Sequence, residues 1–321
     1  MGVNRRFLYW GVLLMAVGGV LVIADLTDVT TATLTDLVRL WPLAIVAIGL
    51  SLVLRRTRVA LPALLAAALL PGLVMGAAFA VAPHFSRDCG AHGSATSVAS
   101  QEGTFDGPAT ISVRGGCGVL NVTTATGSGW TFDASSTARS TPSVEATPSS
   151  LLIRASGSGL NLLDEGRDEW NLGLPTSEIS SLKLVVTTGE GHADLSGAHL
   201  GDLSLTTNAG QSIVDASEAA SLQSVSGVVN VGAMTLSLPA TSDFDGSFNV
   251  GAGKLDLCAP PDLGLRVDSR TTGGSVSVGG LDQAGSGTWQ SANFDTATHR
   301  ATLSVHVTFG AVDINPIGGC K

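Results

Sequence analysis

Three long apolar stretches occupy most of the chain before His84, and nothing like them follows. Phe7 to Ile23 carries no charge. At about 1.5 Å per helical residue it reaches about 26 Å, close to the hydrocarbon thickness of a bilayer. Leu37 to Leu54 holds a single charge, Arg39, near an end where its long stem can snorkel. Val59 to Ala82 is again uncharged. The pattern predicts a three-helix transmembrane anchor over residues 1–83, with helices at 7–23, 37–54 and 59–82.

Charge sets the orientation. Arg5 and Arg6 precede the first stretch, and Arg55, Arg56 and Arg58 separate the second from the third, whereas the intervening loop carries Asp25, Asp28 and Asp36. Positive charge marks the cytoplasmic side, so the N-terminus is expected inside and everything after the third span outside. A cleaved signal peptide is the competing reading of Arg5-Arg6-Phe7-Leu8. It lacks a small-x-small site around Val22-Ile23-Ala24-Asp25, and two further spans follow. Gly72 and Gly76 form a GxxxG pair in the third span, where small residues let helices approach closely.

Arg5-Arg6, Trp10-Gly11, Gly18-Gly19, Leu40-Trp41-Pro42-Leu43, Gly49-Leu50 and Leu54-Arg55-Arg56 together resemble the two-helix unit of LiaI/LiaF-like bacterial membrane proteins, over roughly residues 4–58. The resemblance implies a bacterial cell-membrane protein, in a family whose best-known members modulate envelope-stress signalling by two-component systems. This chain departs from the unit in having a third span.

Residues 84–105 read as a small, polar stalk, and 106–321 as the exported domain. From His84 onward, 11 Lys+Arg stand against 23 Asp+Glu, a net charge of −12. Such an acidic surface argues against nucleic acid or anionic headgroups as partners. Short runs with an apolar residue at every second place recur, among them Thr110–Val113, Val119–Val122, Leu151–Arg154, Leu182–Val186, Leu203–Leu205, Val228–Val231, Lys254–Leu257 and Leu303–Val307. That is the period of a half-buried strand. Glycine-centred turns separate them, at Gly189, Asn208-Ala209-Gly210, Gly251 and Gly273. The interval from Gly189 to Gly210 nearly equals that from Gly251 to Gly273, and the one between is twice as long, as though one marker near Gly232 were skipped. A period of roughly 20 residues suits a solenoid in which each coil pairs with the next. The domain is therefore expected to be all-β, a β-solenoid of about eight coils. A β-sandwich is the alternative, with similar strand density but no constant coil length. These Gly/Thr-rich repeats resemble putative-adhesin β-solenoids and LiaF-like C-terminal domains.

Four cysteines, Cys89, Cys117, Cys258 and Cys320, all fall in the exported part. An even number in an oxidising compartment favours disulfides, and Cys89–Cys117 with Cys258–Cys320 would tie each loose terminal segment to a nearby coil. Reduced, buried thiols are the alternative. No two cysteines are spaced as a metal site, and the six histidines form no HExxH motif. His306 alternates with Val305 and Val307 and should point outward; His192 follows a turn and should be solvated. Asp243-Phe-Asp245-Gly246 resembles the start of a calcium loop, but Lys254 stands where the bidentate Glu belongs. Asp164, Glu165, Asp168 and Glu169 around Trp170 read as a solvated loop. Asn121-Val-Thr123 is a sequon within a predicted strand. No nucleophile elbow, P-loop or dinucleotide fingerprint is present.

The expected function is therefore non-enzymatic, with no catalytic, cofactor or metal residue assigned. The chain reads as a cell-envelope sensor or modulator acting on membrane partners such as a sensor kinase. The alternative is an adhesin or wall-binding protein that contacts glycan. A carbohydrate-active β-helix would need clustered carboxylates along one face, and the strand register offers none.

Overall fold

The computed structural model describes residues 94–137, 141–155, 167–177 and 179–315. The chain divides into two units, Met1–Phe85 and Ser86–Lys321, and the described residues belong to the second. The three predicted spans lie outside the described residues, with Arg5, Arg6, Arg55, Arg56, Arg58, Gly72 and Gly76, as do Cys89 and Cys320. Among the described residues no helix is long and apolar enough to cross a membrane.

The described residues form seventeen strands. They are β1 (Thr96–Thr104), β2 (Ala109–Ala125), β3 (Gly129–Ser136), β4 (Ser143–Thr147), β5 (Ser150–Arg154), β6 (Asp168–Pro175), β7 (Ile179–Asp194), β8 (Leu200–Asp215) and β9 (Ser224–Ser237), then β10 (Phe244–Val250), β11 (Lys254–Cys258), β12 (Gly264–Thr271), β13 (Ser275–Val278), β14 (Asp282–Gly285), β15 (Thr288–Gln290), β16 (Arg300–Val307) and β17 (Ala311–Ile314). β1 lies inside 84–105, so the stretch read as stalk already contributes a strand. Its Ser/Thr-rich composition hid it, because apolar alternation is weak there.

Parallel ladders stack these strands into rungs. Ser181 of β7 pairs with Asp202 of β8, Asp202 with Ser224 of β9, and Ser224 with Asp245 of β10. The offset between partners is nearly constant from rung to rung and is the expected coil length. It rules out the β-sandwich alternative, in which facing antiparallel sheets would carry no such period. The full order of rungs among the described residues is β5/β6, β2, β7, β8, β9, β10/β11, β16/β17, β12/β13. That makes eight rungs, but only those from β7 to β10/β11 rise in chain order. β2 and β16/β17 are intercalated near the two ends. Antiparallel strands flank the ends: β4 on β5, β3 on β6 with β1 beyond, and β15 on β12 with β14 beyond.

The sequence explains both the stacking and the corner in each rung. Along β7, Leu182, Leu184 and Val186 turn inward; Leu203 and Leu205 repeat this in β8, and Phe244, Phe248 and Val250 in β10. Each such side chain, removed from water, contributes about 1.5–3 kcal/mol. Halfway along each rung the face reverses at a glycine. Gly118, Gly189, Gly210 and Gly232 stand in register, with φ of 153°, 111°, 152° and 145°. An L side chain is disfavoured at such φ. A β-carbon on any of the last three would also run into the carbonyl oxygen of the glycine one rung away. The skipped marker near Gly232 is thus a member of the column. The turns at Gly251 and Gly273 are not; Gly253 and Gly274 occupy the equivalent places, each against a glycine carbonyl of the neighbouring rung. One end of the core is aromatic, where Phe132 meets Trp170 edge-on at 5.5 Å and 88°.

Candidate functional site

Each rung offers two outward faces, one before the glycine column and one after it. Before the column, Ser204, Ser226, Ser247 and Ser304 stand in register on β8, β9, β10 and β16, a straight run of hydroxyls one strand apart. Beside them run Asp202, Ser224 and Asp245, and Ser224 Oγ donates to Asp202 Oδ1 at 2.5 Å. His306 lies on this face and is exposed, as its alternation predicts. Cations gather toward the ends: Arg114 and Arg154 lie opposite one another on β2 and β5 near Lys183, while Arg266 and Arg270 lie on β12.

After the column, side-chain ladders run along the stack. Asn121 Nδ2 donates to Asn171 Oδ1 at 2.9 Å, so the sequon asparagine belongs to a strand ladder, as its placement predicts. His192 is exposed on β7, 3.8 Å from Glu190. Asp256 and Asp313 are in register on β11 and β17, and Lys254 Nζ lies between them, 2.9 Å from Asp256 and 3.3 Å from Asp313. The Asp256 hydrogen bond, with a smaller contribution from Asp313, holds the Lys254 ammonium above the usual lysine range. Lys254 therefore neutralises a like-charge pair; it does not fill out a calcium loop. The Asp243–Gly246 segment runs into β10, whose Phe244 and Phe248 are buried.

Carboxylates also mark the turns between rungs. Asp194 and Asp215 stack across β7 and β8, and each accepts hydrogen bonds from the serine two positions on, Ser196 and Ser217, through backbone N–H and Oγ. The Ser196 side chain, then its backbone N–H, hold the Asp194 carboxyl below the usual range. At the next corner a groove of about 250 Å³ is lined by His199, Leu200, Gly201, Ser221 and Gln223. Ser221 Oγ is 3.5 Å from His199 Nδ1, long for an activated nucleophile, which needs a short bond to a base that a third group orients. Among the described residues, no group of three or more His, Cys, Asp or Glu side chains is placed to hold a metal.

Cys117 lies in β2 beside Gly118 and Cys258 ends β11; neither is a free thiol. Asp168 and Glu169 correct the reading of a solvated loop: they begin β6, and Trp170 next to them is 2% exposed. Asp164 and Glu165 lie outside the described residues. Sequence reasoning missed two exposed apolar residues on one corner, Val231 at 54% and Phe309 at 74%. Each directly precedes its rung's column glycine, and only the column could have flagged them.

The family model for the N-terminal domain of toast_rack, DUF2154, matches residues 102–238, from within β1 to just past β9. No curated protein matches the chain. Among solved structures, a "putative cell adhesion protein" from Clostridium sporogenes is 17% identical, covering 68% of this chain and 99% of its own, with a TM-score of 0.47. A "putative adhesin" from Bacteroides fragilis is 10% identical, with coverage of 67% and 96% and a TM-score of 0.29. A "putative lipid binding protein" from Parabacteroides distasonis is 9% identical, with coverage of 67% and 96% and a TM-score of 0.27.

Proposed function

We propose that this chain is a non-enzymatic bacterial cell-envelope protein: a three-span anchor, N-terminus cytoplasmic, that carries the stacked β domain on the outer side. There it modulates envelope-stress signalling by contact with a membrane partner such as a sensor kinase. The carrying observation is the uninterrupted run of parallel rungs with apolar side chains inward and short polar ones outward in register. Such a stack presents fixed side-chain positions over several rungs and gives up little conformational entropy on contact, which suits binding. Deleting residues 94–321 in the native host and following an envelope-stress reporter tests this reading. A reporter unmoved with and without wall-active stress would overturn it.

A second reading, an adhesin or wall-binding protein, is favoured by the serine column Ser204, Ser226, Ser247 and Ser304. Regularly spaced hydroxyls on a flat sheet can hydrogen-bond a glycan chain. Retention of the exported part on isolated cell-wall material, lost when the four serines become valine, would support it. Equal retention of both would remove it. In either reading Cys89 pairs with Cys117 and Cys258 with Cys320.

A further inference from the structure

The chain-order rungs advance by one near-constant interval, and the same arithmetic continues past β10/β11. One interval on from Ser247 stands Asp268, and one on from Lys254 stands Ser275. By period, β12/β13 is the next coil and should sit directly on β10/β11. It does not. β16/β17 lies between them: Ser247 pairs with Ser304, and Ser304 pairs with Asp268. Likewise Lys254 pairs with Ala311, and Ala311 with Ser275.

The connection agrees with the period. The linker 259–263, from β11 to β12, is equal in length to 195–199, which joins β7 to β8 across a single rung. The linker is thus long enough for direct stacking, although it crosses two rungs here, and like 195–199 it contains a hydrogen-bonded turn, Leu263 N–H to the Pro260 carbonyl. The other end of the stack repeats the pattern. Asp168 stands one interval before Gly189, yet β2 separates them, with Gly118 pairing to both.

The inward residues of the two rungs match over the first part of β10 and β12, where both are apolar; further on, Phe248 and Val250 would meet Ser269 and Thr271. Inward residues of β10/β11 are Phe244, Phe248, Leu255 and Leu257, and those of β12/β13 include Leu265 and Val267. All four strands run parallel to β16/β17, so removing that pair leaves two parallel edges with unpaired backbone groups facing each other.

We infer that the gap between β10/β11 and β12/β13 is a strand-exchange slot. It holds β16/β17 in this structure, closes by direct coil-on-coil pairing when that pair leaves, and accepts an extended strand of alternating apolar residues. The native occupant shows the recognition chemistry: Ala301, Leu303, Val305 and Val307 are buried, and the residues between them are exposed.

Cysteine pairs in the full-length chain test this, with the linkage read by peptide mapping. Ser247→Cys with Ser304→Cys should cross-link, because they are neighbours. Ser247→Cys with Asp268→Cys should not, because two rungs separate them by about 9.6 Å, beyond the roughly 7 Å a disulfide tolerates. Leu303→Asp places a carboxylate where the native residue is 0% exposed, which expels β16. In that background the 247–268 bond should go from undetectable to the major product, with the β circular dichroism retained. A synthetic peptide of residues 299–315 should suppress it. Leu265→Asp, in β12, should not produce it. Absence of the 247–268 bond in the Leu303→Asp chain would overturn the slot, and so would loss of its β signal, since closure is what keeps that chain folded. An unaffected bond in the presence of the peptide would overturn its strand-accepting property.

Discussion

Gly210 lies in register over Gly189, and a β-carbon added to Gly210 would fall against the Gly189 carbonyl oxygen. With φ at 152°, the position disfavours an L side chain on backbone grounds as well. Gly210→Val should therefore cost at least about 1–3 kcal/mol, more than the backbone conformation alone would exact. Because rungs interact chiefly with their neighbours, hydrogen-exchange protection should fall first in β7, β8 and β9. Gly107→Ala is the control: nothing lies within 4 Å of its β-carbon, and chemical denaturation should leave its stability within about 0.5 kcal/mol of the parent. Equal stability of both variants would mean the glycine column is not a packing requirement.

Thr207 and Ser212, both buried in the core, hydrogen-bond to one another, 2.7 Å from Oγ1 to Oγ. The rungs on either side place Val186 opposite Gly191 and Val229 opposite Met234 at the same register. Thr207→Val alone leaves the Ser212 hydroxyl without its partner and should cost about 1–3 kcal/mol. Adding Ser212→Ala should recover most of that loss. A double variant as unstable as the single would show that volume, and not hydrogen bonding, sets the cost.

The strand class and the coil length were readable because apolar residues alternate and a conformationally special glycine recurs at fixed spacing. Rung order was not readable. Local pattern reports which side chains face inward but not which strand lies alongside, so the intercalation of β2 and β16/β17 left no trace in Gly251 or Gly273. Strands such as β1, β4 and β14 were not legible for a different reason: they are largely exposed and carry little apolar alternation. Of the candidate surface, His306 and Asn121 could be placed on strands from sequence, and His192 only as exposed, because the turn expected before it is part of β7. The Lys254–Asp256–Asp313 cluster could not, because Asp313 lies far along the chain and joins it only through the pairing of β17 with β11.

Acid should weaken the Asp194 turn. Hydrogen bonds from Ser196 depress its folded pKa, so the stabilisation is complete above the unfolded carboxylate value of about 4 and fades as pH falls through the lower folded value. Asp194→Asn should therefore be less stable than the parent at neutral pH, and the gap should narrow below about pH 4. The carboxylate is largely solvated, so the effect is small. A gap independent of pH, followed by urea unfolding across this window, would assign the stabilisation to shape alone.

Arginine asymmetry predicts the N-terminus inside and residues after the third span outside. Protease added to intact protoplasts should degrade the β domain while a cytoplasmic marker survives. A cysteine introduced at exposed Ser247 should react with a membrane-impermeant thiol reagent before lysis. Reaction only after lysis would reverse the orientation.

Disulfide formation is expected to tie the two ends of the domain to its stack. Cys117 lies on the intercalated β2, and Cys258 ends the strand against which β17 is laid. A bond from Cys258 to Cys320 would hold the C-terminal pair in its slot, and one from Cys89 to Cys117 would fix the entering chain to β2. Protein isolated without reductant should show no free thiol under denaturing conditions, and peptide mapping should return those two pairs. Each bond closes a loop and should add roughly 2–4 kcal/mol. Reduction should therefore lower the unfolding midpoint, and Cys258→Ser with Cys320→Ser should selectively raise exchange in β16 and β17. Exchange rising instead in β2 would reassign the partner of Cys117 to Cys258 or Cys320, which the peptide map separates.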